Sequence, residues 1–391
     1  MEATSTRFRV GVRLPDWISG YASRLFEGFL DFQRTGSAMK LHFDQPTGGD
    51  IPPYPIGKNW KGDGLLVYRY TAAEARAWQK AGINVVNLSV ETPRNSIVFP
   101  RVTVDNQALG QLAYEHLANL GLKNFAYMHE SSREYSRMRL ESFRESVVSN
   151  GGNFSVIKVP VSRYPIKTRP TQIDQCIREQ LLNLPRPCGL FLKDDIAGVW
   201  TSRLLQKLNI KCPEEIALLG ISDDIIFCHT TTPPLSSIPY PGRKIGFAAA
   251  KLLNALMRGE NVPPDHWITL APGAVVARES TRHVHLDDAL VSNALQFLRQ
   301  ETPKRPVSVS ELCTTMGISR EGLRVRFIKT LGHSPKKEIE RLRSQAVIKK
   351  LRESEDTLET IAIDHSFAGP DEICRYIKRQ TGKTPGQIRN E

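Results

Sequence analysis

Short apolar runs alternate with amphipathic stretches along the first 280 residues, and this alternation constrains the fold more than any other feature. The runs have the length of buried strands, and the stretches between them have helical periodicity. The predicted strands are Phe8–Leu14, Gly64–Tyr68, Asn84–Leu88, Asn124–Met128, Ser155–Val159, Gly189–Leu192 and Ile216–Gly220, and the predicted helices are Ala22–Gln33, Ala72–Ala81, Asn106–Leu120, Arg137–Ser149, Thr171–Asn183 and Ala197–Leu208. Such alternation predicts parallel sheets flanked by helices, with ligands bound where loops leave the carboxyl ends of the strands.

The strand signals stop after His283, and the chain from Leu286 onward has only helical patterns separated by short turns. A chain of 391 residues is also too long for one ordinary hydrophobic core. We therefore predict an α/β domain over residues 7–281, a linker over 282–286 and an all-α domain over 287–391.

The all-α part contains an internal repeat with an offset of 50 residues. Each copy has a short helix, a tight turn and a second helix that ends near a glycine, over Ser308–Met316 and Gly317–Ser319 in the first copy and over Leu358–His365 and Ser366–Gly369 in the second. The matched pairs are Leu323 with Ile373, Phe327 with Ile377, Gly332 with Gly382, and Pro335 with Pro385. This is the plan of a helix-turn-helix unit, whose second helix enters the DNA major groove. A bundle of two similar helical hairpins is the alternative.

The charge distribution is compatible with a nucleic-acid partner. The chain has 53 Lys and Arg against 41 Asp and Glu, for a net charge of +12 with neutral histidines. Residues 299–352 hold 14 of the basic and 5 of the acidic residues, so the surplus is concentrated at the first repeat copy. A solvated basic face would have the same composition, so charge permits DNA binding without deciding it.

Several classes of protein are disfavoured by what the sequence lacks. We find no signal peptide and no apolar stretch of the roughly 18 residues that a membrane span needs, and we expect a cytoplasmic protein without a membrane partner. The six cysteines have no CxxC spacing, which favours reduced thiols over disulfides or a zinc site. Phosphate-binding, dinucleotide and hydrolase motifs are also missing. We therefore predict a protein that is not an enzyme, with no catalytic residues, no cofactor and no metal.

The last 105 or so residues resemble the DNA-binding domain of the AraC family. The closing family signature is matched over Ile377–Arg389, including Gly382, Thr384 and Pro385. The chain departs from the family pattern at Ser366, where the family prefers glycine, and at isoleucines that replace aromatic residues (Ile373, Ile377, Ile388). The resemblance implies two helix-turn-helix units joined by a long helix over Pro335–Arg352.

The same resemblance implies which residues contact operator DNA. Base edges would be met by Arg320, Glu321 and Arg324 in the first unit, and by Pro370, Asp371, Cys374 and Arg375 in the second. Lys329, Lys336, Lys337 and Lys378 would contact phosphates, which fix register without reading sequence. Two such helices in one chain would read successive major-groove turns, roughly 34 Å apart.

The α/β part resembles the effector domain of the LacI/GalR family, which is itself similar to periplasmic sugar-binding proteins. The matching segments are Val104-Asp105-Asn106, His116-Leu117 with Gly121, Arg139 with Phe143, Pro213–Gly220, Pro233–Ile238 and Arg278–Thr281. The resemblance implies a periplasmic-binding-protein-like sensor of two α/β lobes, linked by three crossovers, with a ligand in the cleft.

The effector-domain resemblance also implies a ligand site. Arg139 and Asp195 match positions that bind ligand hydroxyls, while Trp17, Tyr21 and Arg24 would form a wall of the cleft. Ser222 stands where many relatives carry aspartate, and Asp223 follows it. A surface ion pair for Arg139 and Asp195, and packing for the aromatic residues, are the alternatives.

A LacI-like sensor followed by AraC-like DNA-binding units is the arrangement of XylR-type xylose-operon regulators, which this chain resembles along its length. The resemblance implies a sugar-responsive, sequence-specific transcription regulator of pentose catabolic genes, with D-xylose or a related pentose as effector. Its partners would be operator double-stranded DNA, a second copy in a homodimer, and RNA polymerase. The alternatives are an architectural DNA-binding protein with a non-sensing dimerisation domain, and a regulator with a non-sugar effector such as a nucleobase.

Overall fold

The computed structural model describes residues 8–14, 19–37, 39–43, 56–160, 170–282, 288–302, 304–331, 333–354 and 356–389. The chain forms two compact units, Met1–Arg282 and His283–Glu391. All six cysteines are free. No helix in these ranges combines the length and apolarity that crossing a bilayer requires.

The first unit contains two parallel sheets, as the alternating pattern predicts. One has the strand order β11-β5-β4-β3-β1-β2 and the other β10-β9-β8-β6-β7. The strands are β1 (Phe8–Arg13), β2 (Met39–Phe43), β3 (Gly64–Val67), β4 (Asn84–Asn87), β5 (Arg101–Val104), β6 (Asn124–His129), β7 (Asn153–Lys158), β8 (Cys188–Phe191), β9 (Ile216–Ser222), β10 (Ser236–Pro239) and β11 (Trp267–Leu270). The helices are α1 (Ser19–Arg34), α2 (Ala72–Lys80), α3 (Asn106–Ala118), α4 (Glu134–Ser149), α5 (Pro170–Leu182), α6 (Asp195–Lys207), α7 (Ile225–Thr230) and α8 (Gly242–Met257).

Each sheet is the centre of one lobe, and the chain crosses between the lobes three times. It leaves the first lobe after β5, returns after β10, and crosses again after β11 to pair Val276 with Ser237. Each lobe has its own buried apolar core. The structure thus confirms the predicted two-lobed α/β fold.

A close helix contact holds α8 against α1 in the first lobe. A Cβ atom at Gly246 would lie 2.1 Å from the carbonyl oxygen of Leu25, and one at Gly28 would lie 2.1 Å from the carbonyl oxygen of Arg243. Both distances are shorter than any real contact, so the two backbones can approach this closely only because both positions are glycine.

The second unit is all-helical. Its helices are α9 (Ala289–Glu301), α10 (Val309–Met316), α11 (Arg320–Leu331), α12 (Pro335–Glu353), α13 (Leu358–Asp364), α14 (Pro370–Thr381) and α15 (Pro385–Arg389). Side-chain caps at Ser308, Ser334 and Thr357 begin three of them by accepting hydrogen bonds from otherwise unpaired backbone N–H groups.

Two small cores divide this unit, and the long helix α12 contributes to both. Leu323 and Phe327 of α11 are buried with Ile339 in the first core. Ile373 and Ile377 of α14 are buried with Val347 in the second. The predicted double helix-turn-helix plan is therefore confirmed, since each pair of short helices packs on its own end of α12.

Candidate effector cavity and DNA-reading helices

A cavity lies between the two lobes at the carboxyl ends of strands from both sheets. It encloses about 680 Å³ of non-atom space, part of which is open solvent. Four tyrosine side chains line its wall: Tyr21, Tyr68, Tyr135 and Tyr240. Polar side chains line it as well, so it offers both apolar ring faces and hydrogen-bonding groups.

Arg139 of α4 is fixed in the cavity wall. Its side chain is almost fully buried and donates hydrogen bonds to Asn106 Oδ1 at 2.8 Å, to the carbonyl oxygen of Lys193 at 2.9 Å, and to the Tyr240 hydroxyl. Its guanidinium carbon lies 4.6 Å from the ring centroid of Tyr135. A guanidinium has five N–H groups, so donors remain for a ligand after these three bonds.

Lys193, Asp194 and Asp195 follow β8 and also line the cavity. Asp194 caps α6 through a 2.7 Å bond from the Ala197 N–H, and it pairs with Lys193 at 2.5 Å. Burial opposes ionisation of Asp194, but the neighbouring Lys193 ammonium lowers its pKa.

Asp195 has a different environment from its neighbour. It accepts hydrogen bonds from Ser237 Oγ at 2.7 Å and from the Asp224 N–H at 2.9 Å. Burial raises the pKa of Asp195 to about 7, although both hydrogen bonds favour its ionised form. Each carboxylate oxygen can accept two hydrogen bonds, so Asp195 keeps acceptor capacity for a ligand.

The two lobes are bridged on both sides of the cavity. On one side Arg24 Nη2 donates to the carbonyl oxygen of Ser222 at 2.6 Å, and the Gly20 N–H donates to Asp224 Oδ2 at 3.2 Å. On the other side Glu91 Oε1 accepts from the Glu134 N–H at 2.9 Å. The side chain of Arg133, the N-cap residue of α4, makes no capping hydrogen bond. Glu91 of the first lobe therefore caps this helix of the second lobe.

The structure brings most of the predicted ligand-site residues together. Tyr21, Arg139, Asp195 and Ser222 line the cavity, and Arg24 contacts Ser222 at its edge. The Asp223 carboxylate is instead paired with Arg278 at 2.8 Å, and Asp224 takes its place in the lining. Trp17 lies outside the described residues.

Several cavity residues were not predicted from the sequence: Tyr68, Asn106, Tyr135, Lys193, Asp194, Asp224 and Tyr240. Tyr68 directly follows β3 and Tyr240 directly follows β10, so both occupy positions where parallel sheets bind ligands. That positional signal could have identified them. Cys228 and His229 lie in α7. The described residues contain no group of three potential metal ligands.

The first DNA-reading candidate, α11, has one buried and one exposed face. Arg320, Glu321 and Arg324 are exposed, while Leu323 and Phe327 hold the helix to its core. Arg324 is joined to Glu321 by hydrogen bonds of 2.7 and 2.9 Å, which fixes the guanidinium on the exposed face. The turn before α11 contains Gly317 in the left-handed region, at φ 63°.

The second candidate, α14, has Pro370, Asp371, Arg375 and Lys378 exposed and Cys374 partly buried. The turn before it is five residues long, against three in the first unit.

Arg343 of α12 holds the turn before α14 in place. It donates hydrogen bonds to the carbonyl oxygens of His365 and Ser366 at 2.8 and 3.2 Å. Its guanidinium also lies 3.9 Å from the ring centroid of Phe367. Ser366 adopts φ 54°, where glycine is favoured, and Arg343 ties down this strained residue.

The predicted phosphate contacts are all exposed: Lys329, Lys336, Lys337 and Lys378. Lys336 and Lys337 lie in the first turn of α12, where the helix dipole and free N–H groups also attract anions. This placement is compatible with binding a DNA backbone.

Comparison with protein families identifies both parts of the chain. The periplasmic binding protein-like domain matches residues 114–281, and a helix-turn-helix domain matches residues 312–391. Both matches agree with the units described above.

The chain is also similar to curated regulators. It is 25% identical over 282 residues to the xylose operon regulatory protein of Escherichia coli strain K12, covering 71% of each chain. It is 24% identical over 303 residues to the protein of that name from Haemophilus influenzae, covering 74% of this chain and 75% of the relative. The HTH-type transcriptional regulator GntR of Pseudomonas aeruginosa is 31% identical over 56% of this chain and 62% of its own.

Solved structures support the same fold. The structure of the xylose-binding transcription activator xylR covers 99% of both chains, with a TM-score of 0.60 and 20% identity. A LacI family regulator from Enterococcus faecium with bound ribose covers 70% of this chain and 98% of its own, with a TM-score of 0.53 and 21% identity. The chain is therefore a homologue of the xylose operon regulatory proteins. It contains a periplasmic binding protein-like domain followed by a helix-turn-helix domain.

Proposed function

We propose that this protein is a sugar-responsive transcription regulator that reads operator DNA with α11 and α14. Its effector is a pentose, with D-xylose the first candidate, since one structurally similar protein is a xylose-binding transcription activator. The observation that carries the proposal is one chain that contains both a polar, tyrosine-walled cavity between two lobes and two groove-sized recognition helices.

The cavity chemistry suits a small polyhydroxylated ligand. Arg139 and Asp195 supply a charged donor and an acceptor for hydroxyl groups, and the tyrosine rings offer faces against which a sugar ring can pack. Lys193 and Asp194 add a second donor and acceptor pair. A nucleobase would use the rings but would leave several of these polar groups unpaired.

Sugar binding would stabilise the bridged form of the two lobes. The bonds of Arg24 to Ser222 and of Glu91 to α4 exist only when the lobes approach each other. A ligand that contacts both lobes therefore favours this conformation over an open one, which is the differential affinity that regulation requires.

The proposal is tested by titrating the purified chain with D-xylose, L-arabinose, D-ribose, D-glucose and adenine, using calorimetry and duplex binding. We expect one pentose to bind and to change the affinity for a duplex selected from a random library. Arg139→Ala should abolish sugar binding, whereas Arg137→Ala, an exposed arginine on the same helix, should not. Binding of adenine alone, or of none of these compounds, would contradict the sugar assignment.

A homodimer and a contact with RNA polymerase belong to the same proposal. The resemblance to LacI-like effector domains supports the dimer, and sedimentation of the full chain at micromolar concentration tests it. Cross-linking to polymerase on operator DNA, with and without the sugar, tests the second partner.

A further inference from the structure

Helix α11 carries large apolar side chains on two opposite faces. Leu323 and Phe327 are fully buried, whereas Val325 and Ile328 are 51% and 42% exposed. Residues four apart lie on the same helix face, so Val325 follows Glu321 and Ile328 follows Arg324 along the exposed side. The two apolar side chains therefore share the DNA-facing surface with the predicted base-reading residues.

The second repeat copy shows that the helix positions of Val325 and Ile328 do not need to be apolar for such a unit to fold. At the 50-residue offset the buried pair is matched by Ile373 and Ile377, but Val325 and Ile328 are matched by Arg375 and Lys378. Both of these are exposed and cationic. Because α14 folds with charged residues there, packing does not explain the branched apolar residues on α11.

The chemistry of the major groove supplies an explanation. Arginine pairs with guanine and glutamate accepts from the cytosine amino group, while the one apolar feature of the groove is the 5-methyl group of thymine. Covering a methyl group with an aliphatic side chain removes apolar surface of both partners from water.

We propose that Val325 and Ile328 make the first recognition helix specific for thymine, by packing against thymine 5-methyl groups next to the bases read by Arg320 and Arg324. This inference rests on the proposed DNA-binding function and deepens it. The ion pair between Glu321 and Arg324 keeps the charged part of the face beside this apolar pair. The second helix, with Arg375 and Lys378 at the same register, lacks this preference.

The test uses the full chain and a duplex obtained by selection from a random library. Each thymine of the selected duplex is replaced in turn by deoxyuridine, which removes only the 5-methyl group. We expect one or two replacements within one half of the site to weaken binding about four-fold each, the effect of one buried methyl group. All other replacements should leave affinity unchanged.

Variants then assign the effect to these side chains. Val325→Ala and Ile328→Ala should each lose the difference between thymine and deoxyuridine at the position that the replaced side chain covers. Ile363→Ala, which alters a 71% exposed isoleucine on α13, should keep the wild-type difference at every position. A wild-type protein indifferent to every deoxyuridine, or variants that retain the full difference, would overturn the proposal. The deoxyuridine scan uses the wild-type protein, so it tests the thymine preference even if a substitution impairs folding. Failure to select any duplex would instead show that the proposed regulator function is wrong.

Discussion

The guanidinium of Arg24 in the first lobe donates a 2.6 Å hydrogen bond to the carbonyl oxygen of Ser222 in the second. Ser222 has φ 110°, and Asp223 after it has φ 52°, so this segment is held in an unusual backbone conformation. A charged donor aimed at such a segment joins the lobes at one edge of the cavity. Removing the Arg24 guanidinium should therefore destabilise the closed arrangement of the two lobes.

Arg24→Ala should weaken binding of the sugar effector about ten-fold or more, because a hydrogen bond from a charged group contributes about 1.5–3 kcal/mol to the closed form. Calorimetry measures the affinity. Arg243→Ala is a matched control, since Arg243 pairs with Asp31 within the same lobe and is largely exposed. Equal losses in both variants would show that Arg24 has no special role in closure.

Asp195→Asn should change how stability depends on pH. The folded-state pKa of Asp195, about 7, lies above its usual value of 3.8, so the folded protein holds this proton more tightly than the unfolded chain. Its stabilising contribution is present below about pH 4 and is lost as pH rises through 7, by on the order of 2–4 kcal/mol. Asparagine mimics the protonated form and removes this dependence.

Thermal unfolding of wild type and Asp195→Asn across pH 4.5–8 measures this difference. The wild type should become the less stable of the two as pH rises. A difference in melting temperature that stays constant over the range would contradict the raised pKa.

Gly246→Ala should destabilise the first lobe by about 3 kcal/mol or more, because the new Cβ would lie 2.1 Å from the backbone oxygen of Leu25 and α1 or α8 would have to move. Denaturant unfolding gives the free energy. Gly57→Ala is the control, since a Cβ there meets nothing within 4 Å, and it should change stability by less than about 0.5 kcal/mol. A tolerated Gly246→Ala would mean that this contact is looser than described.

Arg343→Ala should lower DNA affinity by releasing the turn before α14, without removing any group that contacts DNA. Loss of two bonds to carbonyl oxygens and of the contact with Phe367 should also speed amide hydrogen exchange over residues 365–381. Arg375→Ala should lower affinity equally without changing exchange. Unchanged exchange in Arg343→Ala would assign Arg343 a direct contact instead of a positioning role.

The sequence predicted the elements with strong periodicity well. The two helix-turn-helix units agree almost residue for residue, because Gly317, Pro335 and Pro370 mark helix ends that local backbone chemistry dictates. The predicted strands missed β2, β5, β10 and β11, which are only four or five residues long. Other four-residue strands, such as β3 and β8, were predicted because they lie in continuous apolar runs. Strands without such a run depend on pairing with neighbours in the sheet, and that pairing has no local signal.

The candidate site was predicted in part for the same reason. Arg139 and Asp195 are found in motifs, whereas Tyr68 and Tyr240 come together only because two strands of different sheets end at one cleft. The sequence also could not predict the direction of the Asp223 side chain, because that direction depends on an ion pair with Arg278, 55 positions away in the chain.

The three crossovers have a consequence for how each molecule is made. The first lobe is completed only by α8 and β11, which leave the ribosome after all five strands of the second lobe. Neither half of the sensor can thus be finished early, and the helix-turn-helix units are synthesised last of all. A nascent chain therefore contains all segments that line the effector cavity before its DNA-binding helices, α11 and α14, have been synthesised.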